Sequence, residues 1–262
     1  MTGRLGAPIA SVLAAVLLGG CGASISEVAI ETPIQPKLDI TAFQRVLIAG
    51  FVAGGSDDVD ANLETVRLLR SQLRSKSGLR VIEADVLPLE EIARDQAREA
   101  GAEPDVAPAN TEDEGLPQKI QDEKDLAAYE RIFANVDYWK KLGEEYQSPL
   151  IVTGTVLFTP HQRSGFVTRE QEVYDQFGRR TTTPVRTYME RKGYILRPKF
   201  VFIDGRTGAV LHTEIFREEV LYNPNQETPA LSSYFELMDR LIPGFLGTLS
   251  SQKIRGMRVL LR

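Results

Sequence analysis

The sequence contains one cysteine, two histidines and one tryptophan among 262 residues. A single thiol excludes a disulfide framework, a Cys-rich zinc site and a CxxC redox centre. The two histidines, His161 and His212, lie 51 positions apart and leave little for a His-rich metal site. A dominant sign of charge is also missing. There are 31 basic and 36 acidic side chains, net −5, a balance that does not point to nucleic acid. No apolar run reaches the roughly 20 residues that a membrane-spanning helix needs. Hydrophobic residues at 42% and charged residues at 26% are ordinary for a globular chain and exclude a collagen-like or fully disordered one. The common catalytic signatures are absent: no G-x-S-x-G elbow, phosphate-binding G-x-x-x-x-G-K-[ST] loop, H-E-x-x-H or G-x-G-x-x-G. The expectation is therefore a non-enzyme with no cofactor and no metal.

What is present begins with an address. Arg4 and the amino terminus precede an apolar run from Leu5 to Leu18, broken only by small residues and Pro8. That is the form of a secretory signal peptide, assigned to residues 1–20. The run ends in Leu18-Gly19-Gly20-Cys21, which resembles the lipobox of bacterial lipoproteins. In that class the peptide is cut before the cysteine, whose thiol is acylated, so Cys21 is the expected lipidation site. Anchoring by more than one acyl chain is stable. Gly22 follows the cysteine, and class members without Asp there usually go to the outer membrane. The implied location is the outer membrane, lipid-anchored and facing the periplasm. Residues 21–43 read as the lipidated cysteine and a flexible tether, with Pro33 and Pro36 and no sustained periodicity.

The rest, 44–262, reads as a single α/β domain, a mixed β-sheet flanked by helices with a projecting β-hairpin. Arg45 to Val52 is an apolar, β-branched strand. Leu63, Val66, Leu69 and Leu73 fall at helical spacing between Asp60 and Lys76, with acids at the start suited to capping. Asp58-x-Asp60-x-Asn62 copies the first half of a calcium loop, but Leu63 stands where the loop needs glycine. Leu79 to Glu83 reads as a second strand and 89–98 as a helix. Residues 99–125 hold nine acids, two lysines and three prolines, and read as a disordered acidic insertion. A long amphipathic helix is expected from Leu126 to Tyr146, then a strand from Leu150 to Phe158. Two strands over 163–198 form the hairpin. Strands at Lys199 to Ile203 and Ala209 to Tyr222 flank an Asp204-to-Gly208 turn. A last helix carries Pro243 as an expected kink or break, and Met257 to Leu261 closes as a strand.

Three fragments of this order resemble the CsgG-like group of bacterial lipoproteins, whose relatives include the curli secretion lipoprotein, the lipoprotein activator of penicillin-binding proteins and the TolB amino-terminal domain. They are the opening strand RVLIAGF at 45–51 with its helix and LRVIEA at 79–84; Leu142-Gly143 before Leu150-Ile151-Val152-Thr153-Gly154-Thr155-Val156; and Val201 to Leu211 around an Asp204-x-x-Thr207-Gly208 turn. The resemblance implies the α/β fold and an envelope role. It also raises a curli-like oligomeric secretion channel, to which each subunit would give two strands.

Residues 163–199 hold nine Arg/Lys and four Asp/Glu, interleaved with Phe166, Tyr174, Phe177, Tyr188 and Tyr194. Arg179, Arg180, Arg186, Arg191 and Lys192 are the candidate binding residues, for an anionic partner. The plainer reading is a soluble ribbon with cross-strand pairs. A barrel strand needs one apolar face over about 9–11 residues, and each strand here carries charge or polarity on both. The function expected is a non-catalytic, lipid-anchored periplasmic adaptor that recruits or activates an envelope complex. The alternatives are the secretion channel and an envelope hydrolase using carboxylates. Expected partners are the membrane, through the lipid anchor, and an envelope protein or cell-wall polymer, not nucleic acid. Homo-oligomerisation stays open.

Overall fold

The computed structural model describes residues 25–101, 116–117, 119–174, 176–223, 225–226 and 228–261. Cys21, the expected signal peptide and residues 102–115 of the acidic insertion lie outside the described residues. The chain divides into two compact units, Met1–Gln35 with Ser251–Arg262, and Pro36–Ser250. The α/β class expected from the sequence is observed, but the boundaries differ.

The first unit is a two-stranded antiparallel ribbon, where the sequence reading had placed a tether. Strand β1 (Ile25–Ile34) pairs along its whole length with the last strand, β8 (Gln252–Leu261). The missed signal is a period of two: Val28, Ile30, Thr32 and Ile34 alternate with Glu27, Ala29 and Glu31. Glu31 carboxylate oxygens meet Arg255 Nε at 2.9 Å and Lys253 Nζ at 3.5 Å across the ladder.

The second unit is a three-layer domain. Strand β2 (Arg45–Gly55) lies in parallel beside the two-residue β3 (Arg80–Val81) and beside β4 (Leu150–Tyr174). Antiparallel to β4 runs β5 (Arg180–Asp204), which pairs in turn with β6 (Val210–Ile215) and β7 (Glu218–Leu221). The sheet is thus mixed. The single strand expected at 209–222 is two, because Phe216 turns inward to meet Phe200 edge-on at 5.7 Å.

One face of the sheet is covered by α1 (Ala61–Lys76) and α5 (Ala230–Leu249), which bury Val66, Leu69, Leu237 and Phe245 against Val152, Phe158 and Phe200. Asp60 caps α1 by accepting from the Leu63 amide at 2.9 Å, and Asn62 Oδ1 accepts from the Phe51 amide, so the calcium-loop fragment serves folding. Between the two helices the Tyr234 hydroxyl contacts Thr65 Oγ1 at 2.5 Å, and burial pushes its pKa up. Helix α5 continues through Pro243 rather than ending there.

The other face is covered by α2 (Leu89–Gly101), α3 (Glu123–Ala128), a 3-10 turn (Tyr129–Ala134) and α4 (Val136–Glu145). The long helix expected at 126–146 is broken at Asn135, whose side chain leaves the helical path to cap α4 through the Tyr138 amide. The acidic insertion is shorter than 99–125. Ile120 is buried, its carbonyl accepts from the Gly55 amide at 2.9 Å, and the Tyr129 hydroxyl donates to the Pro117 carbonyl. Asp122 and Asp125, counted as solvated charge in the sequence, form a capping box for α3.

Two of the three fragments that carried the family resemblance, 142–156 and 201–211, meet at one packing node. A Cβ on Gly143 of α4 would lie 1.8 Å from the carbonyl oxygen of Gly205 in the β5–β6 turn, so only glycine lets helix and turn meet. Asp204 Oδ1 accepts from the Arg206 amide, and the Gly205 amide donates to the Pro149 carbonyl. These motifs build the fold.

Candidate functional site

Strands β4 and β5 are each 25 residues long, and they include the segments that the sequence divided into core strands and hairpin. They pair without a register shift from Leu150↔Asp204 to Tyr174↔Arg180. Strand β2 stops at Gly55↔Phe158, so residues 159–174 pair with β5 alone. That stretch extends for about 50 Å at the usual antiparallel rise. Gly178, with φ +72°, turns the chain at the end.

An unbroken register fixes which side chains share a face. Even-numbered residues of both strands continue the face under α1 and α5: Val152, Phe158 and Phe200 lie in that core. Odd-numbered residues continue the face under α2 to α4: Ile151, Leu157 and Val201 lie in the other. The same parity runs outward into the hairpin.

On the even side of the hairpin, acids and bases are equal in number. Glu170, Glu172 and Glu190 stand with Arg180, Arg186 and Lys192. Arg180 is ion-paired with Glu172, and Gln162 donates to Glu190. Arg186 lies over the Phe166 ring, its guanidinium carbon 5.4 Å from the centroid, and Phe166 meets Tyr188 edge-on at 5.5 Å. At the base of this side is a groove of about 660 Å³, lined by Gln162, Glu190, Lys192, Tyr194 and Tyr222 among others. Tyr194 is stacked on Phe158 at 4.8 Å. Burial, together with the hydrogen bond to Glu236, pushes the Tyr222 pKa up, and the hydroxyl donates to that carboxylate at 2.9 Å.

The odd side differs. Arg163, Arg169 and Arg191 lie there with Val167, Val173 and Val185, and the paired residues 161–174 and 180–193 place no acid on it. Arg163 stands directly across from Arg191, a like-charge pair that costs stability. Arg191 Nε is buried without a hydrogen-bond partner. Among the described residues no carboxylate lies within 4.0 Å of any of these three guanidinium groups. Nearer the core the same face is neutralised: Lys199 Nζ meets Glu130 at 2.6 Å and Arg197 meets Glu123 at 3.6 Å. Those acids come from α3 and the 3-10 turn.

The five residues singled out from the sequence are therefore not one cluster. Arg180, Arg186 and Lys192 lie on the even face, Arg191 on the odd, and Arg179 in the turn over the Phe177 ring at 5.4 Å. Arg163 and Arg169 were missed. Pairing the two strands about the Phe177-Gly178 turn would have found them, since cross-strand partners in one register share a face. His161 Nε2 lies 3.6 Å from Glu219 and His212 Nε2 lies 3.0 Å from Glu214. No group of three or more metal-ligating side chains occurs among the described residues. No described helix is long and apolar enough to cross a membrane.

No family model matches the chain, the CsgG-like group included, and no curated protein matches it. Among solved structures it is similar to lipoprotein GNA1162 from Neisseria meningitidis, at 12% identity over 77% of this chain and 97% of that one, with a TM-score of 0.33. It is also similar to a neuraminyllactose-binding hemagglutinin homolog from Helicobacter pylori, at 10% identity over 82% and 86%, again with a TM-score of 0.33. Similarity at this level does not say what this chain does.

Proposed function

We propose that the protein is a lipid-anchored lipoprotein of the bacterial envelope, held at the outer membrane by Cys21 and facing the periplasm. There it acts as a non-catalytic adaptor with the hairpin as its contact element. The observation that carries this reading is the hairpin itself: two strands leave the sheet and continue with only each other as partners. Neither core cluster includes residues 162–174 or 180–192, of which only Met189 is buried, so folding alone does not account for their length. The Leu18-to-Cys21 motif supplies the anchor. Two experiments test the reading. Palmitate labelling with membrane fractionation should show a labelled, membrane-bound protein that Cys21→Ser abolishes. Photocrosslinkers at Thr168 and Thr182 should capture an envelope component in cells, whereas crosslinkers on α2 should not. Labelling unchanged by Cys21→Ser, or capture only from the helices, would refute it.

A second reading, the oligomeric channel, is favoured by strand length, which exceeds the 9–11 residues of a barrel strand. The odd face of the outer hairpin carries Arg169 among valines and threonines. At a bilayer midplane that arginine would cost about 2–4 kcal/mol in every subunit. Negative-stain images in detergent separate the two readings, because a channel should show rings.

A further inference from the structure

We infer that the odd face of the hairpin is a lipid-contact surface, on which Arg163, Arg169 and Arg191 bind the phosphate groups of an anionic phospholipid layer. The inference deepens the adaptor reading: it assigns one face of the proposed contact element to the membrane and leaves the other for a protein.

Three features carry it. The first is a cost. A ribbon built only to hold itself together would pair its charges, as the even face does with Glu172 and Arg180. The odd face sets Arg163 against Arg191. Local rules broken in this way mark places where a fold answers to something besides stability. The second is composition. Among the paired residues the odd positions read Arg163, Gly165, Val167, Arg169, Gln171 and Val173 on β4, and Thr181, Thr183, Val185, Thr187, Met189 and Arg191 on β5, with no carboxylate among them. A guanidinium donates in pairs to phosphate oxygens while its short aliphatic neighbours meet the acyl boundary, the strand counterpart of an interfacial amphipathic helix. The third is shape. Arg163 and Arg169 stand about 20 Å apart along one strand, too far to close on a compact anion but suited to an extended plane.

The occupant is an anionic lipid layer rather than a compact acidic group on a protein, because the arginines are spread along the strands while Phe166, Tyr174 and Tyr188, the anchors a protein contact would centre on, are all on the even face.

The test compares two triple variants that lose the same charge. In full-length chain carrying Cys21→Ser, so that no acyl anchor contributes, partitioning is measured on vesicles of phosphatidylethanolamine with phosphatidylglycerol, and on phosphatidylcholine alone. A basic residue near an anionic surface is worth about fivefold in partitioning. Arg163→Gln with Arg169→Gln and Arg191→Gln should therefore lower binding to the anionic vesicles about a hundredfold. Arg180→Gln with Arg186→Gln and Lys192→Gln should change it only a few-fold. The parent should release as salt rises and should bind phosphatidylcholine weakly. Equal losses in the two triples, or a parent that ignores anionic vesicles, would overturn the inference; parental binding confined to cell-wall sacculi or an acidic protein would do the same. If the odd-face triple fails to fold, Arg169→Gln alone stands in, because its side chain is exposed and outside the like-charge pair. An approximately fivefold loss supports the inference, and unchanged partitioning overturns it. Lipidation at Cys21 is read separately by palmitate labelling, so the failure of one reading does not imply failure of the other.

Discussion

The two faces of the hairpin share a backbone, a length and a register, yet they treat charge in opposite ways. The even face carries three acids and three bases, joins Glu172 to Arg180, and sets Phe166 edge-on to Tyr188. The odd face collects three arginines and opposes two of them. One strand pair can therefore separate two jobs by parity alone. The even face holds the ribbon together. The odd face carries charge that the ribbon does not use.

The contrast can be broken at its root, where the expected effect is largest. Gly154 keeps the β4–β5 register continuous at the base: it has φ +144°, and a Cβ there would lie 1.8 Å from the Lys199 carbonyl oxygen. Gly154→Ala should cost about 3 kcal/mol or more, read by denaturant unfolding, because backbone strain and a backbone clash combine. A variant as stable as the parent would mean that the register tolerates a shift, and the parity argument would lose its footing.

Next is the edge of the helical layer, where the neutralised part of the odd face gives way to the bare part. Ile120 is buried there against Gly54. Ile120→Ala should cost about 2–4 kcal/mol. A change below 0.5 kcal/mol would return residues 116–122 to the solvated insertion that composition alone suggested.

Smaller effects should differ in sign between the faces. Arg163→Glu replaces a like-charge pair by an opposite one and should raise stability by about 0.2–1 kcal/mol. Glu172→Gln on the even face should lower it by less than about 1 kcal/mol, since the pair with Arg180 is solvent-exposed. Thermal melts of both variants at low salt read the difference. Loss of stability in both would show that the odd face is paired in solution after all.

Much of the fold was legible because its signals are local. The strand at 45–52, the α1 stripe of Leu63 to Leu73 and the turn at 204–208 follow from periodicity and turn chemistry, and each is found close to where it was expected. What escaped depended on partners far away in sequence. Ile25–Ile34 looked like a tether because its strand partner lies at the other end of the chain. Asn135 looked like part of a helix because helical spacing continues on both sides, while its capping role appears only in the backbone. The candidate site suffered from the same limitation. A count of basic residues over 163–199 finds charge but not its distribution, and Arg163 and Arg169 acquire meaning only when β5 is laid against β4.

The most direct test of the facial asymmetry places an environment-sensitive fluorophore on a single cysteine at Val185, on the odd face, or at Thr182, on the even face, in full-length chain with Cys21→Ser. Vesicles containing phosphatidylglycerol should shift the emission to the blue at Val185 and leave Thr182 nearly unchanged. Equal shifts at the two positions, or a shift at Thr182 alone, would contradict the account.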